Sequence, residues 1–279
     1  MKLTILDAGY CTAPEHITSG TGSWRPARLP ALYALLEHPR FGAVLFDTGY
    51  GLQFFSETRQ FPLNLYQRLT PVTLDESELA IHRLARRGLR PGDIGTILIS
   101  HFHADHISAL RDFRQARLLY FQSAWQAVQG RQGWQALRLG FVPGLLPADF
   151  DERGQVLAPD HLRPMPPEYA PFKIGVNLFG DESAWAVRLP GHATGQMGLF
   201  VNTDDGQHYF LVADACWHSR AFREGRGPHP LANLIFANPA QYRQTLAGLH
   251  QFHLSQPQVH LIPSHCPEAQ ARYVSPEQS

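Results

Sequence analysis

Ser100-His101-Phe102-His103-Ala104-Asp105-His106 sets three histidines and one aspartate within six positions. The stretch follows the apolar run 94–99, which reads as a short buried strand, and it precedes 107–114, which reads as a helix. In a chain leaving a strand, alternate side chains point to one side, so His101 and His103 can face a common point. Asp105 and His106 then come round the turn into the helix. One loop can in this way serve two adjacent cations. A merely solvated polar loop would not explain four metal-ligand residues within six positions.

The same grammar recurs three times downstream. His192 follows the run 187–191, Asp214 follows 210–213 and His265 follows 261–264, each at the end of an apolar stretch that reads as a strand. A sheet fixes the root of such a loop, so strand ends are rigid places to mount ligands. The seven residues supply five imidazoles and two carboxylates. That is too many for one tetrahedral ion, and it suits two divalent cations about 3.5–4 Å apart with a carboxylate between them. Imidazole with carboxylate favours zinc and also accepts manganese, iron or cobalt.

Composition narrows the class. The chain has 279 residues, 44% hydrophobic and 17% charged, which excludes a disordered chain. Its 24 basic and 24 acidic residues cancel, so no broad nucleic-acid-binding surface is expected. Three scattered cysteines (Cys11, Cys216 and Cys266) give neither a disulfide framework nor a zinc finger. No run approaches the roughly 18 apolar residues of a membrane span. The opening residues lack the apolar region of about 7–15 residues found in a signal peptide. The expectation is a soluble, cytoplasmic protein with a small-molecule substrate and no membrane or nucleic-acid partner.

Apolar runs at 3–6, 31–36, 43–46, 94–99, 118–121, 174–178, 184–189, 197–202, 208–213 and 259–262 predict strands. Helices are expected at 75–87, 107–114 and 239–252, the last with Tyr242, Leu246 and Leu249 at i, i+4 and i+7. Residues 51–75 read as irregular and aromatic. Residues 122–172 read as helical pieces near 123–138 followed by a long irregular connection, the kind of segment that covers a substrate. With no clean linker, residues 1–279 read as one domain of two sheets with helices outside.

These motifs resemble the metallo-β-lactamase superfamily. The matching residues are Asp47 in Leu45-Phe46-Asp47-Thr48-Gly49, the 101–106 cluster, His192 in Pro190-Gly191-His192-Ala193-Thr194-Gly195, Asp214, and His265 in Pro263-Ser264-His265. The resemblance implies an αββα sandwich, two mixed β-sheets face to face with helices outside. It implies one metal on His101, His103 and His192, a second on Asp105, His106 and His265, and Asp214 bridging them. Asp47 would order the loop rather than bind metal.

Within the superfamily the chain looks most like the N-acyl homoserine lactone lactonases, through 32–39, 45–49 and the separation of His192 from Asp214. Those enzymes usually carry a tyrosine three residues after the bridging aspartate, where this chain has Trp217. Indole has no acidic hydroxyl. Trp217, His218 and Tyr50 are therefore the candidate substrate contacts. Cys216 and Cys266, beside two candidate ligands, are expected to be packing residues.

The resemblance implies hydrolysis of a lactone, ester or thioester by a hydroxide bridging the metals, with Asp105 and Asp214 as the catalytic carboxylates. Phosphodiester cleavage on the same site is the alternative, against which the neutral charge weighs. A diiron oxidoreductase would usually replace His103 with glutamate. A non-catalytic metal-binding module would be expected to have lost a ligand, and all seven are present.

Overall fold

Residues 31–36, Ala-Leu-Tyr-Ala-Leu-Leu, are apolar without alternation, and all six are buried. A strand of this kind is covered on both faces. In the computed structural model, which describes residues 1–274, it lies within a seven-stranded sheet packed between a second sheet and a layer of helices. The strands of this first sheet are β1 (Lys2–Pro14), β2 (Pro26–His38), β3 (Gly42–Phe46), β4 (Val72–Thr73), β5 (Ile94–Leu98), β6 (Arg117–Phe121) and β7 (Gly154–Leu157), in the order β4-β1-β2-β3-β5-β6-β7. The second sheet holds β8 (Arg163–Pro164), β9 (Ile174–Asn177), β10 (Ala184–Arg188), β11 (Met197–Asn202), β12 (His208–Ala213) and β13 (His260–Pro263), in the order β13-β12-β11-β10-β9-β8. Both sheets are mixed: β3, β5, β6 and β7 run parallel, as do β12 and β13, and the other pairs are antiparallel.

The period of two in a strand sorts the side chains into layers. Leu32, Ala34 and Leu36 pack with Val44, Phe46, Met197, Leu199 and Leu211 between the sheets. Ala31, Tyr33 and Leu35 face the other way and join Phe54, Leu84 and Ile107 under the outer helices. On the far side, Phe200, Phe210 and Val212 meet Tyr242, Leu246, Leu249 and Phe252 of the helix Pro239–Ser255. Asn238 caps that helix, accepting the Ala240 and Gln241 N–H groups at 3.0 Å each. This is the expected αββα sandwich.

Some local expectations need correction. The helix expected at 75–87 is a 3₁₀ turn (Glu76–Glu78) and a short helix (Ala80–Ala85), because Leu79 between them is extended at φ −54°, ψ 140°. The helix expected at 107–114 instead begins inside the histidine cluster, at Ala104–Ile107, and a 3₁₀ turn follows at Leu110–Asp112. Residues 51–75 contain two short helices, Gln53–Glu57 and Asn64–Leu69. Residues 122–172 are more ordered than expected and supply edge strands to both sheets, β7 and β8.

No helix among the described residues is long and apolar enough to cross a membrane.

Candidate metal centre

The seven residues singled out in the sequence come together at one end of the sandwich. His101 leaves β5, His192 follows β10, Asp214 follows β12 and His265 follows β13. β12 and β13 are parallel neighbours, and Ser264 N–H donates to the Ala213 carbonyl at 3.1 Å, so Asp214 and His265 are held side by side. Ala213 sits at φ 47°, a left-handed conformation that turns Asp214 out of the strand. Gly191 has φ +132°, and a Cβ there would run into the backbone of Tyr242. Only glycine lets the His192 loop pass this close to the helix, to which Asn238 N–H→Gly191 O (2.9 Å) and Ala237 N–H→His192 O (3.0 Å) fasten it.

Asp214 is the hub. Its Oδ1 lies 3.3 Å from His106 Nε2, and its Oδ2 lies 3.1 Å from both His192 Nε2 and His265 Nε2. His265 Nε2 is also 3.0 Å from Asp105 Oδ2, and His192 Nε2 is 2.9 Å from His103 Nδ1. Two groups of ligand atoms result, each with its atoms within 4.8 Å of one another: His101, His103, His192 and Asp214, and Asp105, His106, Asp214 and His265. Asp214 belongs to both.

Hydrogen bonds behind the site fix ring orientation. Asp47 Oδ2 meets His106 Nδ1 at 2.8 Å, the Pro30 carbonyl meets His265 Nδ1 at 2.7 Å and Ser100 Oγ meets His101 Nδ1 at 3.0 Å. Each leaves an Nε2 facing inward. His101 Nε2 is buried with no hydrogen-bond partner. A buried imidazole nitrogen without a partner, grouped with two other imidazoles and the buried Asp214 carboxylate, is costly unless a cation completes the set. The donor set therefore fits divalent metal.

Electrostatics follow the same geometry. Burial opposes charge on His106, but the carboxylates of Asp105, Asp47 and Asp214 outweigh it and raise its titration well above the usual histidine range. His265 behaves alike through Asp214 and Asp105. Burial, with His106 and His103 adding to it, pushes His101 well down, and burial pushes His192 down to about 3. Burial alone would raise Asp214, yet His265, His192 and His106 hold it well below the carboxylate range. The carboxylates are thus ready to ligate as anions.

Residues 29–215 match the model of the metallo-beta-lactamase superfamily. The chain belongs to the metallo-beta-lactamase superfamily. The matched span contains His101, His103, Asp105, His106, His192 and Asp214; His265 lies beyond it.

Similar members of the superfamily include the N-acyl homoserine lactonase AiiB of Agrobacterium fabrum, 24% identical, with 90% of this chain and 88% of that protein covered. The probable metallo-hydrolase Rv2300c of Mycobacterium tuberculosis is also 24% identical, over 85% of this chain and 74% of its own. Among solved structures, an N-acyl homoserine lactone hydrolase with the product N-hexanoyl-L-homoserine bound at its catalytic metal center superposes at a TM-score of 0.72. It has 18% identity and covers 97% of this chain and 95% of its own. A hydrolase of the beta lactamase superfamily, AbOPH, superposes at 0.64 with 14% identity, covering 95% and 87%. At these identities the structural likeness shows the fold.

In this superfamily member a cavity of about 270 Å³ opens onto His103, Asp105, His192, Asp214 and His265. Its remaining wall is largely apolar, including Ile17, Leu29, Leu69, Leu137 and Ile235. Trp217 lines it and donates its indole N–H to Asp214 Oδ2 at 3.2 Å. Tyr50 lines it too, beside Cys11. His218 is turned aside to Thr18 Oγ1 at 3.2 Å and is not part of the wall. Cys216 and Cys266 are fully buried packing residues. Tyr66 belongs to the aromatic stretch 51–75, in which the sequence marks no individual residue for the site. It lines the cavity with its hydroxyl in the field of Asp105 and Asp214.

Proposed function

We propose that the chain is a metal-dependent hydrolase that opens a lactone, or cleaves a related ester or thioester, carried on a small apolar molecule. The observation that carries this reading is the pair of four-atom ligand groups sharing Asp214 at the floor of an apolar cavity. His101, His103 and His192 would hold one cation, Asp105, His106 and His265 a second, and Asp214 both; zinc suits these donors, as do manganese, iron and cobalt. Such cations supply a water ionised near neutral pH and a polarised carbonyl oxygen.

The chain's own residues do the rest. Asp105, whose second role is to accept a hydrogen bond, orients the attacking water. The apolar wall excludes bulk water and receives the organic part of the substrate. Leu137, Arg138 and Gly140 bring the segment 122–172 over the substrate. The lactonases among the similar proteins support a lactone as substrate.

The test is to load purified protein with zinc or manganese, measure metal by elemental analysis, and assay N-acyl lactones, alkyl thioesters and phosphodiesters in parallel. Two equivalents of metal and hydrolysis of a carbonyl substrate are expected. Cleavage confined to phosphodiesters would overturn the reading.

A further inference from the structure

His103 differs from its neighbours in which nitrogen it turns inward. Its Nδ1 lies 2.9 Å from His192 Nε2, whereas His106, His192 and His265 each present Nε2 to Asp214. Asp47, the Pro30 carbonyl and Ser100 hold His106, His265 and His101 from behind. Among the described residues no such hydrogen bond reaches the outward Nε2 of His103.

Gly140 lies against this ring instead. A methyl carbon on Gly140 would stand 2.7 Å from His103 Cδ2, 2.9 Å from Nε2 and 3.1 Å from Cγ. Short, similar distances to three consecutive ring atoms put that point over the face of the imidazole, not at its edge. Only a residue without a Cβ fits so closely. The Gly140 carbonyl also accepts the Ala104 N–H at 3.2 Å, so Gly140 fixes the backbone beside His103 as well as its ring.

The turn at Gly140 is by itself an ordinary helix ending. It closes the helix Gly133–Leu137 at φ +61°, with Gly140 N–H→Leu137 O at 3.0 Å and Phe141 N–H→Ala136 O at 3.1 Å. Gly88 makes the same turn after the helix Ala80–Ala85 at φ +76°, with Gly88 N–H→Ala85 O at 2.9 Å and Leu89 N–H→Leu84 O at 3.1 Å. A Cβ on Gly88 would meet nothing within 4 Å. The two glycines share a backbone task, and only Gly140 carries a ligand ring.

We propose that Gly140 is a positioning residue that holds the His103 ring with Nδ1 toward the cation shared with His101 and His192. It thereby ties the segment covering the cavity to one of the two metal positions. This rests on the two-cation hydrolase reading above.

The experiment loads wild type, Gly140→Ala, Gly140→Asn and Gly88→Ala with zinc. Equivalents retained through a graded chelator series are counted by elemental analysis, and the melting temperature of each metal-free protein is read alongside. Alanine brings the strain of a positive φ to both sites; asparagine tolerates that conformation and still carries the Cβ. Wild type and Gly88→Ala are expected to retain two tight equivalents. Both Gly140 variants are expected to retain one, with the other bound about 10–100-fold more weakly, even where asparagine restores the melting temperature. Two tight equivalents in either Gly140 variant overturn the assignment. So does loss of both equivalents, loss of one in Gly88→Ala, or failure of both Gly140 variants to fold while Gly88→Ala folds. A wild type that retains fewer than two equivalents overturns the two-cation reading itself.

Discussion

Asp47 Oδ2 lies 2.8 Å from His106 Nδ1, while its other oxygen accepts the Ser100 N–H at 2.7 Å. One buried carboxylate thereby sets the tautomer of an imidazole and pins the backbone that leads into the histidine cluster. Asp47→Asn keeps an acceptor for Ser100 but can turn an amide N–H toward Nδ1, which favours the tautomer with its proton on Nε2. Metal affinity should fall about 10–100-fold with little change in melting temperature. Retention of metal against a graded chelator series measures this, and wild-type retention would remove Asp47 from the site's support.

Asp214 and His265 should separate by stoichiometry. Asp214 belongs to both ligand groups and His265 to one. His265→Ala is expected to hold one tight equivalent of metal, and Asp214→Ala to hold neither tightly, with hydrolysis falling by orders of magnitude in both. If Asp214→Ala kept two tight equivalents and full activity, the shared position would be wrongly assigned.

Gly191→Ala tests the closeness of the His192 loop to the helix Pro239–Ser255. The added methyl meets the Tyr242 backbone, which cannot give way as a flexible side chain would. A positive φ adds its own strain, and the sum should exceed about 3 kcal/mol. A lowered melting temperature with weakened metal binding is expected, since His192 is the next residue. An unaltered protein would mean that the loop sits further from the helix.

The ligands were legible because the chemistry is local in sequence. Four fall within 101–106, and His192, Asp214 and His265 each follow a run that reads as a buried strand. The sandwich was legible for the same reason, in 31–36 above all. What escaped notice depends on contacts between distant segments. β7, Gly-Gln-Val-Leu at a sheet edge, buries little and has no clear pattern. The helix carrying Tyr66 has no fully buried residue and hence no apolar stripe to mark it. The helix at Ala104 starts without a side-chain cap, so no capping residue announces it. His218 follows Trp217 directly yet faces Thr18, because the chain turns into the helix Ser219–Glu224 there.

Trp217 serves two neighbours at once, which makes its replacement informative. Its indole ring stands edge-on to His192 with centroids 5.7 Å apart and packs on Phe236 at 5.4 Å, while its N–H reaches Asp214 Oδ2. Trp217→Phe preserves an aromatic wall and deletes the donor. A hydrogen bond to a charged group contributes about 1.5–3 kcal/mol, so the loss should appear chiefly as weaker metal retention at Asp214. Trp217→Ala also opens the cavity and should cost about 3–5 kcal/mol of stability. Trp217→Tyr places a phenol directly beside Asp214; both metals should be kept, and lactone hydrolysis should rise relative to other ester-type substrates. Metal content, melting temperature and substrate ratios on the three variants separate these roles. Unchanged ratios with a large stability loss in all three would reduce Trp217 to a packing residue.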